Sequence, residues 1–336
     1  MKPRLGFGRL PVVSRDDSRR PNRDAAGDRD SANDRAEEIS IAEDLPRPVN
    51  TGPVRPDLGP PAPGPQSANQ PGSGLGLVIS VAIAALVLVL AFFAIGSPTT
   101  NPLPLAQTTN ALFWILALFT VAAAGIGAEY ADRTASRARE RDEEVSPGTA
   151  WIVPTVATAA AIGLVATFHN TPMIAIGPLI AFLGNAGALL SRDLLDDADD
   201  SAQRTARTVH TVVVHVVACL ALMAIYYNKL PTPLTAVSSG LIAVLLTAEL
   251  FDRAPVEPRR KLLLSLLAGS AVAAAAVPLA WWLTYGWTGG AVLFVVFYLA
   301  AGVLRTGIAQ GEFRVREIIE YGVVPLAALI VLAVTA

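Results

Sequence analysis

One cysteine, three histidines and only 16% charged residues leave this 336-residue chain few of the groups that soluble enzymes rely on. A typical soluble domain carries about 25% charged residues. The lone Cys219 excludes a disulfide framework and any cysteine-based zinc site. His210 and His215 are five apart, about 140° around a helix, and so point to different faces. His169 falls in another apolar segment, so the three histidines do not form one metal site. A formal charge of −2 gives no basis for a nucleic-acid partner. No nucleophile elbow, P-loop, HExxH or dinucleotide fingerprint is found. The reading therefore expects no cofactor.

What the chain has instead is hydrophobicity: 52% apolar residues and a mean hydropathy of +0.47. Charge is distributed unevenly. Residues 1–73 hold 22 of the 54 Asp, Glu, Lys and Arg residues and 12 of the 25 prolines. Such a segment cannot bury enough apolar surface to offset its chain entropy, and it is expected to be a disordered tail. Its proline-rich part, 46–71, favours extended conformations. No early apolar run of the secretory-signal type occurs. The tail is the expected route to any protein partner.

From Leu58 to Ala128 there is no charged residue. A helix needs about 20 apolar residues to cross a bilayer. Residues 74–336 divide into nine such spans, at about 74–96, 109–130, 150–169, 172–191, 208–228, 232–251, 262–284, 289–308 and 317–335. The expected fold is an all-α integral membrane bundle of about nine transmembrane helices. The segments between spans two and three, four and five, six and seven, and eight and nine carry, with the adjoining helix ends, all 17 acidic residues beyond the tail. They also carry 14 of the 15 basic ones, and Lys229 alone lies on the other side. The positive-inside rule makes the charged side cytoplasmic, with the N-terminus inside and, for nine spans, the C-terminus outside. Alanine-rich composition, with 23 arginines against three lysines, points to a GC-rich bacterium and hence to its cytoplasmic membrane.

Even-numbered spans end alike: Ala128-Glu-Tyr-Ala-Asp-Arg133 in the second and Ala248-Glu-Leu-Phe-Asp-Arg253 in the sixth. The fourth and eighth end at Arg192 and Arg305. This is the signature expected of duplicated helical hairpins, a common basis of membrane folds. The candidate site residues are accordingly Glu129, Asp132, Arg133, Glu249, Asp252 and Arg253. They are read either as i,i+4 ion pairs at the interface or as head-group ligands across a pseudo-symmetric cavity. Paired aspartates after spans two and six, which a membrane prenyltransferase needs, are missing. His215 and Asn185 are expected to hydrogen-bond to neighbouring helices.

The acidic stretch Asp193, Asp196 and Asp197 is the one candidate for Mg²⁺, held by oxygen ligands against a diphosphate with Arg192 or Arg204 on the phosphate. The functional expectation is a non-enzymatic membrane protein, either a scaffold or a binder of membrane lipids or small molecules. The alternatives are a magnesium-dependent enzyme on a lipid diphosphate and a transporter built on hairpin repeats. Nothing in the sequence sets the oligomeric state.

Overall fold

The computed structural model describes residues 71–95, 111–138, 148–168, 170–197, 202–228, 230–254, 256–281 and 286–310, with 323 and 327. The tail expected over 1–73, its last three residues excepted, and most of the ninth span lie outside the described residues, as does His169. Eight helices and no strand are found among the described residues. They are α1 (Pro71–Ile95), α2 (Ala111–Ala138), α3 (Ile152–Phe168), α4 (Met173–Asp197), α5 (Gln203–Tyr227), α6 (Thr232–Leu250), α7 (Pro258–Trp281) and α8 (Gly286–Gln310). All belong to the unit Pro63–Ala336.

Seven of these helices are long and apolar enough to cross a membrane. The eighth, α3, has 17 residues, about 26 Å, and 13 of them are buried. It packs against α1, α2, α4, α5 and α6. Around it the outward faces are strongly apolar, with Leu118 and Ile126 each 72% exposed. In water such a belt would be an aggregation surface, and in lipid it is the matched exterior. The chain therefore has the build of a multi-pass membrane protein. Serine and threonine hydroxyls turn back onto carbonyls four residues earlier, as in Ser80 to Gly76 (2.8 Å) and Thr120 to Leu116 (2.8 Å). These two hydroxyls are satisfied within their own helices.

Helix ends at the charged face run past the apolar segments that announce them. The α2 helix continues eight residues beyond 130, α4 six beyond 191, and α5 starts five before 208. Polar residues extend a helix as readily as apolar ones when they pair along it, and Arg133 Nε donates to Glu129 Oε1 at 2.9 Å.

Packing follows a recurring pattern. All six pairs among the first four helices touch, and five of them recur among the last four, where α5 and α7 do not meet within the described residues. The α6 and α7 helices approach closely. A β-carbon on Gly269 would stand 2.7 Å from the Gly240 carbonyl, and one on Gly240 would stand 2.9 Å from Ala273 Cβ. The backbones meet because neither residue has a side chain. At the end away from the charged face, Phe168 lies 4.8 Å from Tyr227 and 5.5 Å from Trp287, ring centre to ring centre. There, Asn228 Nδ2 donates to Thr167 Oγ1 at 2.9 Å, joining α3 to the end of α5.

Gly269→Val forces α6 and α7 apart at backbone level and should cost about 1–3 kcal/mol or more. The check is thermal unfolding of the detergent-solubilised protein against Gly74→Ala, a position with open space around it.

Candidate functional site

The charged face is organised by one side chain. Arg192 lies near the end of α4; the residue four positions earlier is Ala188, and Asp196, four positions later, pairs with Arg253. Its side chain, 9% exposed, turns into the bundle. Nη1 donates to Glu249 Oε1 on α6 at 2.6 Å and to Thr149 Oγ1, just before α3, at 3.1 Å. Nη2 reaches Asp252 Oδ2 at 3.4 Å, and Nε lies 3.6 Å from Asp132 Oδ1 on α2. Asp132 and Asp252 hold the same position in the two matching motifs, and they flank the same guanidinium. A planar fork with several donors suits this task; a point-charge ammonium would not.

The cage extends into α5. Glu249 Oε1 also faces His210 Nε2 at 3.4 Å, and His210 Nδ1 stands 2.9 Å from Ser191 Oγ. The order Ser191, His210, Glu249 has the connectivity of a hydrolase triad. Ser191 is only 1% exposed and its hydroxyl donates to the Ala188 carbonyl at 2.9 Å, so the series works as a tie between helices. Lys261 Nζ donates to the Asp252 carbonyl, fixing the turn after α6.

The two expected i,i+4 pairs fare differently. Glu129 and Arg133 pair within α2. Glu249 does not pair with Arg253, because α6 stops at Leu250 and residues 251–253 form a turn that carries Arg253 out of helical register. Arg253 Nη2 instead meets Asp196 Oδ1 at 2.7 Å. Asp196 is thus salt-bridged, and Arg192 is enclosed by carboxylates and not open to a phosphate. Among the described residues no group of three His, Cys, Asp or Glu side chains is placed to hold a metal ion. Asp193 and Asp197 lie on the last turn of α4. His215 bonds within its own helix, its Nδ1 2.7 Å from the Thr211 carbonyl, and packs among Phe294, Phe297 and Tyr298 of α8. Asn185 Nδ2 does bridge helices, donating to Thr158 Oγ1 at 3.0 Å.

Three cavities adjoin these residues. One of about 300 Å³ opens at the charged face between α5, α8 and the turn after α6. A second, of about 600 Å³, lies between α2 and α3 beneath Glu129 and Arg133, with Trp151 and Thr155 on its α3 side. The third, of about 320 Å³, shares Leu118 and Val121 with the second and continues to Asn228. Gly148 backs the Glu129 carboxylate so closely that a β-carbon there would collide with it.

Removing one partner of a buried ion pair leaves an uncompensated charge, at about 3–5 kcal/mol. Arg192→Ala and Glu249→Ala should therefore each sharply lower the yield and unfolding temperature of purified protein, while Arg133→Ala, at an exposed pair, stays near the parent. Arg192→Lys should rescue only partly.

No curated protein and no solved structure matches the chain. A family model described as a protein of unknown function (DUF5656) matches residues 98–335, which takes in α2 to α8 and every member of the Arg192 network. On that match, which spans more than two thirds of its length, the chain belongs to the DUF5656 family.

Proposed function

We propose that this protein is a non-enzymatic, nine-span membrane protein that binds a lipid-like amphiphile in the groove between α2 and α3. The carrying observation is a pair of neighbouring cavities that share Leu118 and Val121 in their lining. Between them they give an apolar lining that runs from the charged face, under Glu129 and Arg133, towards Asn228 at the far end. Glu129 Oε2 is buried there without a hydrogen-bond partner among the described residues. An amphiphile with an apolar chain and a head carrying a donor meets both demands: the chain covers Leu118, Val121 and Ala159, and the head pairs with Glu129. The scarcity of charge elsewhere in the apolar spans speaks for binding over ion-coupled transport.

In this reading the bundle is a duplication of two four-helix units, α1–α4 and α5–α8, each made of two hairpins, closed by a ninth helix over 317–335. The recurrence of the five helix pairs and the equivalent placing of Asp132 and Asp252 support it. The charged face is cytoplasmic by the positive-inside rule, the membrane is the bacterial cytoplasmic membrane, and residues 1–73 extend from that face towards a protein partner.

Native mass spectrometry of gently solubilised protein should show a lipid retained after the annular lipid is stripped. Ala122 and Ala159 line the groove and are exposed to it. The double variant Ala122→Trp/Ala159→Trp fills it without entering a helix contact, and should cut retention by about tenfold, close to 1.4 kcal/mol. Equal retention by parent and variant, or none in either, would sink this reading.

A further inference from the structure

The 300 Å³ cavity at the charged face has a different character from the groove. Its walls include Gln203, Arg207, Thr211, Arg253 and Arg305, drawn from α5, the turn after α6, and α8. Arg253 is matched by Asp196. The Glu249 and Asp252 carboxylates on the same cavity are held by Arg192. Arg207 and Arg305 have no carboxylate partner among the described residues. The one described polar contact of Arg305 is Nη1 donating to Thr211 Oγ1 at 3.2 Å, and that hydroxyl in turn donates to the Arg207 carbonyl at 2.7 Å. Arg207 on α5 and Arg305 on α8 thus line one small cavity and are linked through Thr211, one helical turn after Arg207.

The helix makes this less comfortable still. Arg207 lies in the second turn of α5, near the positive end of the helix dipole, and the first turn contains no acid and no side-chain cap. A bound anion would offset the unfavourable interaction of a cation with that helix end. Comparison of the two helical units sharpens the point. Arg192 and Arg305 end corresponding helices, α4 and α8. Arg192 is surrounded by Asp132, Glu249 and Asp252, whereas Arg305 faces a cavity at the equivalent level.

We infer that this cavity binds a phosphate-bearing group, held in bidentate fashion by Arg305 and Arg207 with Thr211 and Gln203 as neutral partners. Arginine forks match the paired oxygens of a phosphate. The space exceeds that of a bare phosphate and admits a substituent. The ligand takes the place at Arg305 that protein carboxylates take at Arg192. The same chemistry is offered by a phospholipid head group and by a free phosphate or phosphate ester.

The test uses the full-length protein. In one arm, unfolding temperature is followed in detergent against inorganic phosphate, with sodium chloride at matched ionic strength as the comparison. In the other, the protein is placed in phosphatidylcholine nanodiscs with or without phosphatidylglycerol, and hydrogen exchange is read over 203–211 and 300–310. Stabilisation by inorganic phosphate identifies a soluble source, and protection seen only with phosphatidylglycerol identifies the head group. Either supports the site, provided Arg207→Gln weakens the response about tenfold, Arg207→Gln/Arg305→Gln removes it and Arg137→Gln, at the exposed end of α2, retains it. Arg207 is exposed with no described acidic partner, so its variant is expected to fold. No response to either anion source, or an undiminished response in Arg207→Gln, would overturn the proposal.

Discussion

A guanidinium taken out of water must be neutralised where it lies, and Arg192 imposes that condition on the whole charged face. Its side chain ends among Asp132, Glu249 and Asp252, with Thr149 on one nitrogen. These partners come from α2, α6, the turn after α6 and the segment leading into α3. Three separate stretches of chain are fixed relative to α4 by one group. In a low-dielectric setting the pairing is worth its desolvation only when the geometry is complete. Hence the second layer, in which His210 steadies Glu249, Ser191 steadies His210 and Lys261 holds the Asp252 backbone.

The rest of the bundle holds together differently. Lipid offers no hydrophobic drive between helices, so their association depends on close contact and shared polar groups. The Gly240 and Gly269 approach, the Asn185–Thr158 bond and the Asn228–Thr167 bond supply both. Large side chains such as Leu118 and Ile126 point away from these contacts. The groove between α2 and α3 is the exception, a space that none of the other described helices fills.

The sequence made the helices legible because apolar runs of fixed length leave little freedom. Eight of the nine expected spans coincide with α1 to α8, and the ninth lies almost wholly outside the described residues. Helix ends were less legible, since the end of an apolar run says nothing about whether polar residues continue the helix, as Glu129 and Arg133 do. The ion pairing was misread for a related reason. Spacing alone favours Glu249 with Arg253, but spacing does not report that α6 stops at Leu250. Arg192 reads in the sequence as a phosphate ligand beside the acidic stretch, whereas it is enclosed by Asp132, Glu249 and Asp252. A signal existed: of the four arginines that end even-numbered helices, Arg192 and Arg305 lack an acid four residues earlier, while Asp132 and Asp252 stand nearby as surplus acids.

The cage around Arg192 also bears on biogenesis. A chain that enters the membrane in order from its N-terminus presents α4 when only Asp132 has been delivered. Glu249 and Asp252 follow some sixty residues later, counted from Arg192. Until α6 is in place the guanidinium lacks two of its three carboxylate partners in the folded cage. The arrival of α6 then completes the charge balance and closes the bundle around α3. The cage thus cannot be completed before α6 is present, a consequence of where the acids fall in the sequence.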